Sequence, residues 1–224
     1  MRIDLAGLPA RLTTAPRAAR GRRLPRRIGQ LYIGLICYGA SAALMVRARL
    51  GLDPWDVFHQ GLAKRLGLPL GWLVIAVGVL VLLAWIPLRQ RPGLGTVSNV
   101  ILVGLSLDAT LHVVPAPGPL WARWVMLLAS IALNGLATGL YIGARFGPGP
   151  RDGLMTGLAA RGHSIRVVRT GIELAVVAAG FLLGGQVGFG TILYAVAIGP
   201  LAHVLIPLCT VRPGPAATPA PEPA

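Results

Sequence analysis

Two aspartates close the same short pattern, Gly-x-x-Pro-x-Asp, at Gly51-Leu52-Asp53-Pro54-Trp55-Asp56 and again at Gly147-Pro148-Gly149-Pro150-Arg151-Asp152. Glycine suits a sharp turn, and proline suits the first helical position, where its missing N–H is harmless. Asp56 and Asp152 then fall at the second or third helical position, near free amides. Each can compensate those amides and the helix dipole, or it can bind a cation, a proton or a substrate amine. Gly51, Pro54, Gly147 and Pro150 are thus read as helix-start motifs. Two further pairs stand four residues apart, the spacing that puts both members on one helix face. Asp108 and His112 suit either an ion or proton site or solvation at an interface; Arg169 and Glu173 suit a local ion pair. Asp56, Asp152, Asp108 and His112 make up the candidate pathway.

Other chemistries find no support. His59, His163 and His203 are scattered, without the spacing of a zinc site, so no metal is expected. There is no nucleophile elbow and no Walker lysine; neither enzymatic activity nor a cofactor is expected. The loop Gly147 to Gly153 resembles a phosphate cradle, but Pro148 and Pro150 remove two of the amides that it would need.

The elements that carry these residues follow from composition. The 224 residues are 54% apolar and only 12% charged, with a mean hydropathy of +0.70. About 25% charged is usual in a soluble domain, so too little polar side chain exists here to cover a soluble surface. A multi-pass membrane protein is expected. The net charge of +14 reflects basic residues beside spans, eight of them arginines ahead of Ile28, and it orients the chain rather than binding nucleic acid. Cys37 and Cys209 lie in apolar runs and serve packing.

A bilayer core needs roughly 20 apolar residues in helix. Six runs come near this: Ile28 to Val46, which should remain as an anchor, Gly71 to Leu88, Gly95 to Val114, Ala122 to Tyr141, Val167 to Leu183 and Phe189 to Leu208. Segments starting at Pro54 and Pro150 are helical in pattern but too short to cross. Residues 1–27 and 212–224 are expected to be a disordered basic arm and a disordered Pro/Ala tail. With the N-terminus inside, sixteen lysines and arginines fall on the inner side and five on the outer, which predicts both termini in the cytoplasm.

The chain is also duplicated. Nine of the eighteen residues from Ala48 to Arg65 recur 96 positions later, and Gly93-Leu94-Gly95-Thr96-Val97 recurs as Gly188-Phe189-Gly190-Thr191-Ile192. Residues 28–115 and 122–208 are the expected repeats. Three spans per repeat is an odd number, so the halves should enter the membrane from opposite sides. The expected fold is an all-α membrane protein of about six transmembrane helices in two inverted three-helix repeats, each with a short amphipathic or re-entrant helix. Gly135, Gly139, Gly143 and Gly147 form a small-residue stripe suited to close helix packing, and Asn99 and Asn134 suit ties between helices.

At Gly51 to Leu62, Arg89 to Thr96 and Gly147 to Met155 the sequence resembles the bacterial YczE/YyaS/YitT-type integral membrane proteins, most of all the YczE-like branch from actinobacteria. The resemblance spans about Ile28 to Leu208. It implies a multi-pass plasma membrane protein of largely unassigned activity. The expected function is a small transporter or channel component of unknown substrate, the alternative being a non-transporting accessory protein that binds a partner membrane protein. The expected neighbours are the lipid bilayer and either a second copy of the chain or such a partner.

Overall fold

A computed structural model describes residues 24–211, which form eight α-helices with no strand among them. They are α1 (Leu24–Ala48), α2 (Pro54–Leu66), α3 (Leu70–Leu88), α4 (Leu94–Val113), α5 (Leu120–Gly143), α6 (Pro150–Ala159), α7 (Ile165–Leu182) and α8 (Phe189–Cys209). Long, short, long, long is thus the order in each half. Five helices, α1, α3, α4, α5 and α8, are long and apolar enough to cross a membrane. The expected sixth, α7, forms where the apolar run lies, but Arg166, Arg169 and Glu173 interrupt its first half and keep it out of that set. The basic arm and the Pro/Ala tail lie almost wholly outside the described residues; the exception is Leu24 to Arg27, which is helical. Arg27 explains that early start. Its guanidinium donates to the carbonyls of Ala144 and Arg145, at the C-terminus of α5, and lies 4.6 Å from the centre of the Phe146 ring. A cation there satisfies orphan carbonyls and the helix dipole.

α1 and α5 pack along one another at the centre, α4 flanks α1, and α8 flanks α5. Among apolar side chains lipid offers no solvent-driven association, so close backbone approach must supply the contact. The small-residue stripe does this. A Cβ added at Gly39 would lie 2.3 Å from the Val103 carbonyl of α4, and one at Gly139 would lie 2.9 Å from the Leu205 carbonyl of α8. Asn134 ties three helices together: it accepts from the Tyr194 hydroxyl at 3.1 Å and donates to Ser41 at 2.8 Å.

The short helices cross between the halves. α2 packs on α7, the helix after the other short helix, and α6 packs on α3. The turns before them match in detail. Gly51 and Gly147 have φ of 122° and 117°, a region that side chains rarely enter, and Arg49 and Arg145 have φ of 55° and 57°. Gly95 donates to the Phe146 carbonyl at 2.9 Å, while Gly190 donates to the Leu50 carbonyl at 2.8 Å. Each turn is therefore pinned by the glycine-threonine helix start of the opposite half.

Candidate functional site

The site is built on the two short helices. Asp53, ahead of Pro54, caps α2: its carboxylate accepts from the amides of Trp55 and Asp56, both at 2.9 Å. With those amides satisfied, Asp56 turns its carboxylate away, and it lies 3.0 Å from His59 Nδ1. All three side chains sit inside the protein, Asp53 and Asp56 being 2% exposed and His59 1%. Buried carboxylates are costly without a cation. Arg151, from the first turn of α6, supplies it, with one nitrogen 3.7 Å from Asp53 and another 3.7 Å from Asp56. Its guanidinium also lies over the Trp55 ring, 5.1 Å from the centroid.

The start of α6 is held differently. Gly149 occupies the cap position and has no side chain to cap with. Trp85 of α3 instead donates from Nε1 to the Pro150 carbonyl at 3.0 Å, and the Tyr141 hydroxyl of α5 donates to Asp152 at 2.9 Å. Asp152 and Arg151 both face a cavity of about 220 Å³ to whose wall all eight helices contribute. Its lining combines polar and aromatic residues, Tyr38, Trp55, His59, Asn99, Tyr141 and Tyr194, with valines of α3 and α4 and isoleucines of α8. Such a mostly apolar chamber with convergent polar groups is the usual form of a small-molecule site.

A family of unknown function (DUF6198) matches residues 25–207, and so nearly all of the described chain. The chain belongs to that family. It is 41% identical over 180 residues to an uncharacterised protein of Haemophilus influenzae, covering 80% of this chain and 83% of the relative. It is 32% identical over 179 residues to the uncharacterised membrane protein YczE of Bacillus subtilis, covering 79% and 83%, and 28% identical over 183 residues to the uncharacterised protein YyaS of the same organism, covering 79% and 90%. No solved structure matches the chain. The expected YczE-like membership therefore holds, and with its apolar helices this member of the family is a multi-pass membrane protein.

Among the residues singled out in the sequence of this family member, Asp152 lines the cavity, whereas Asp56 lies behind its wall, paired with the lining residues His59 and Arg151. Gly51, Pro54, Gly147 and Pro150 do stand at the turns and first positions of the two short helices. Arg169 and Glu173 pair at 2.9 Å, and Arg169 reaches the cavity. Asp108 lies elsewhere: it accepts from the Gly71 amide at 2.7 Å and so caps α3, while His112, exposed, contacts the Asp108 carbonyl. Asp56 and His59, polar residues of α2, are turned inward, whereas the apolar Leu66 is 59% exposed. Asp53, Arg151 and the tyrosines were not singled out. The signal for Asp53 was available, since an aspartate directly before a proline at the first helical position is a strong helix-start pair.

Proposed function

We propose that this protein is a small transporter or channel component of the bacterial plasma membrane, and that its pathway runs through the cavity between two inverted halves. The observation that carries this reading is that both short helices reach a single internal chamber, α6 through Asp152 and Arg151, and α2 through His59, which lies 3.0 Å from Asp56. Carboxylates that served only to cap their own helices would bond helix amides, whereas Asp56 pairs with His59 and Arg151 and Asp152 accepts from Tyr141. In this reading α7 is the sixth span, its Arg169–Glu173 pair neutralised near one interface. Both short helices are re-entrant, since their polar faces turn into protein and non-spanning backbone at membrane depth is tolerated where it lines a cavity. Both termini are cytoplasmic, as the distribution of basic residues requires.

The test is uptake or efflux of a panel of metabolites and ions in proteoliposomes. The wild-type chain is expected to move at least one of them, and Asp56→Asn to abolish that movement while leaving the protein folded in the membrane. Failure of every panel member favours the accessory role, in which the cavity has no traffic; full activity in Asp56→Asn would leave transport standing and remove Asp56 from the pathway.

A further inference from the structure

We propose that the cavity binds an organic cation with an apolar body, an amine or quaternary ammonium, and that this ligand enters sideways from the bilayer between α7 and α8. The charge of the ligand follows from the pairing around the cavity. Arg151 is engaged by Asp53 and Asp56, and Arg169 by Glu173. Asp152 faces the cavity with one oxygen bonded to the Tyr141 hydroxyl and, among the described residues, no basic side chain at ion-pair distance. An ammonium completes that carboxylate. The rings of Tyr38, Tyr141 and Tyr194, which line the same cavity, add aromatic surface that attracts cations. The volume suits a small head group: about 150 Å³ accommodates benzene, and here about 220 Å³ is available.

The route of entry follows from a difference between the halves. α3 and α4 pack tightly, a Cβ added at Gly104 lying 2.5 Å from the Gly71 carbonyl. Their counterparts α7 and α8 barely touch. Gly199, at the repeat position of Gly104, lines the cavity, and a Cβ there meets nothing within 4 Å. Beyond Tyr194 no residue of α8 is fully buried, and Ile198, Ala202 and Ile206 face the cavity. The gap is thus an apolar passage from chamber to lipid, suited to the tail of an amphiphile.

This assignment rests on the cavity being a ligand site, and not on movement of the ligand across the membrane. The test is calorimetric titration of the purified full chain in micelles with phenyltrimethylammonium and, separately, with benzenesulfonate. Saturable binding of the cation alone is expected, weakened roughly tenfold or more in Asp152→Asn, which keeps an oxygen for Tyr141, and in Gly199→Phe, which fills the passage. Both variants are expected to keep the wild-type melting temperature. If Asp152→Asn does not fold, Gly199→Phe still decides, because it occupies open space. No cation binding, equal binding of the anion, or undiminished binding in Asp152→Asn overturns the ligand; undiminished binding in Gly199→Phe overturns the route. Cation binding without liposome transport would end the transport reading and leave this one intact.

Discussion

Arg151 and Trp55 hold the same position in the two copies of the repeated motif, and they meet, the guanidinium of one lying 5.1 Å from the ring centre of the other. Part of the chemistry of the site therefore comes from positions where the copies differ. Asp53 corresponds to Gly149, Trp55 to Arg151 and His59 to Met155. The shared residues shape two like helix starts and supply one aspartate each; the divergent ones add a second carboxylate, Asp53, on one side and a cation, Arg151, on the other.

Arg151→Met is expected to destabilise the protein by about 2 kcal/mol. Removing one partner of a buried pair costs about 3 to 5 kcal/mol, and the figure here is lower because the Arg151 side chain is 23% exposed. Thermal unfolding in micelles measures it. Asp53→Asn made in the Arg151→Met background should cost less than in the wild type, with a coupling of about 1 kcal/mol. Strict additivity would mean that contacts at 3.7 Å contribute nothing.

Gly153 lets α6 lie on α3. A Cβ there would stand 1.9 Å from the Trp85 ring, which its own bond to the Pro150 carbonyl holds in place. Gly153→Ala should cost about 1 to 3 kcal/mol through overpacking. Trp85→Phe, with a smaller ring, is itself destabilising, but adding Gly153→Ala to it should cost little more. An equal penalty in both backgrounds would place the strain elsewhere. The fit is reversed in the other half, where Gly180 of α7 receives the backbone of α2 at Phe58.

Asp53 and Asp56 should separate by the kind of substitution that each tolerates. Asp53→Ala removes an acceptor from two amides and is expected to cost about 1 to 2 kcal/mol, whereas Asp53→Asn keeps that acceptor and costs less. Asp56 bonds no helix amide, so Asp56→Ala and Asp56→Asn should differ little in helix stability. Unfolding midpoints of the four variants decide. A loss in Asp53→Asn as large as in Asp53→Ala would reverse the assignment of the cap.

Much of this was legible in the sequence for physical reasons. Hydropathy marks α1, α3, α4, α5 and α8 because lipid tolerates little else, and Gly51 and Gly147 reveal their turns because few other residues take a positive φ. The early start of α1 was not legible, since it depends on Arg27 reaching carbonyls far along the chain. Nor was the direction of the polar face of α2: periodicity shows that Asp56 and His59 share a side but not whether water or Arg151 waits there. Repeat identity also pointed past Arg151, since it selects what the halves share.

The topology has a direct test. Lys64 and Ala160 are both exposed, near the C-termini of α2 and α6. If the halves are inverted, the loop after α2 lies outside and the loop after α6 lies inside, because each follows an odd number of spans in oppositely directed units. With Cys37 and Cys209 replaced by Ala, single cysteines at Lys64 and at Ala160 should react with a membrane-impermeant maleimide from opposite faces of oriented vesicles. The distribution of basic residues predicts which is which, with Lys64→Cys labelled in intact cells and Ala160→Cys only after permeabilisation. Labelling of both from one side would remove the inverted arrangement, and with it the idea that the two short helices approach the cavity from opposite leaflets.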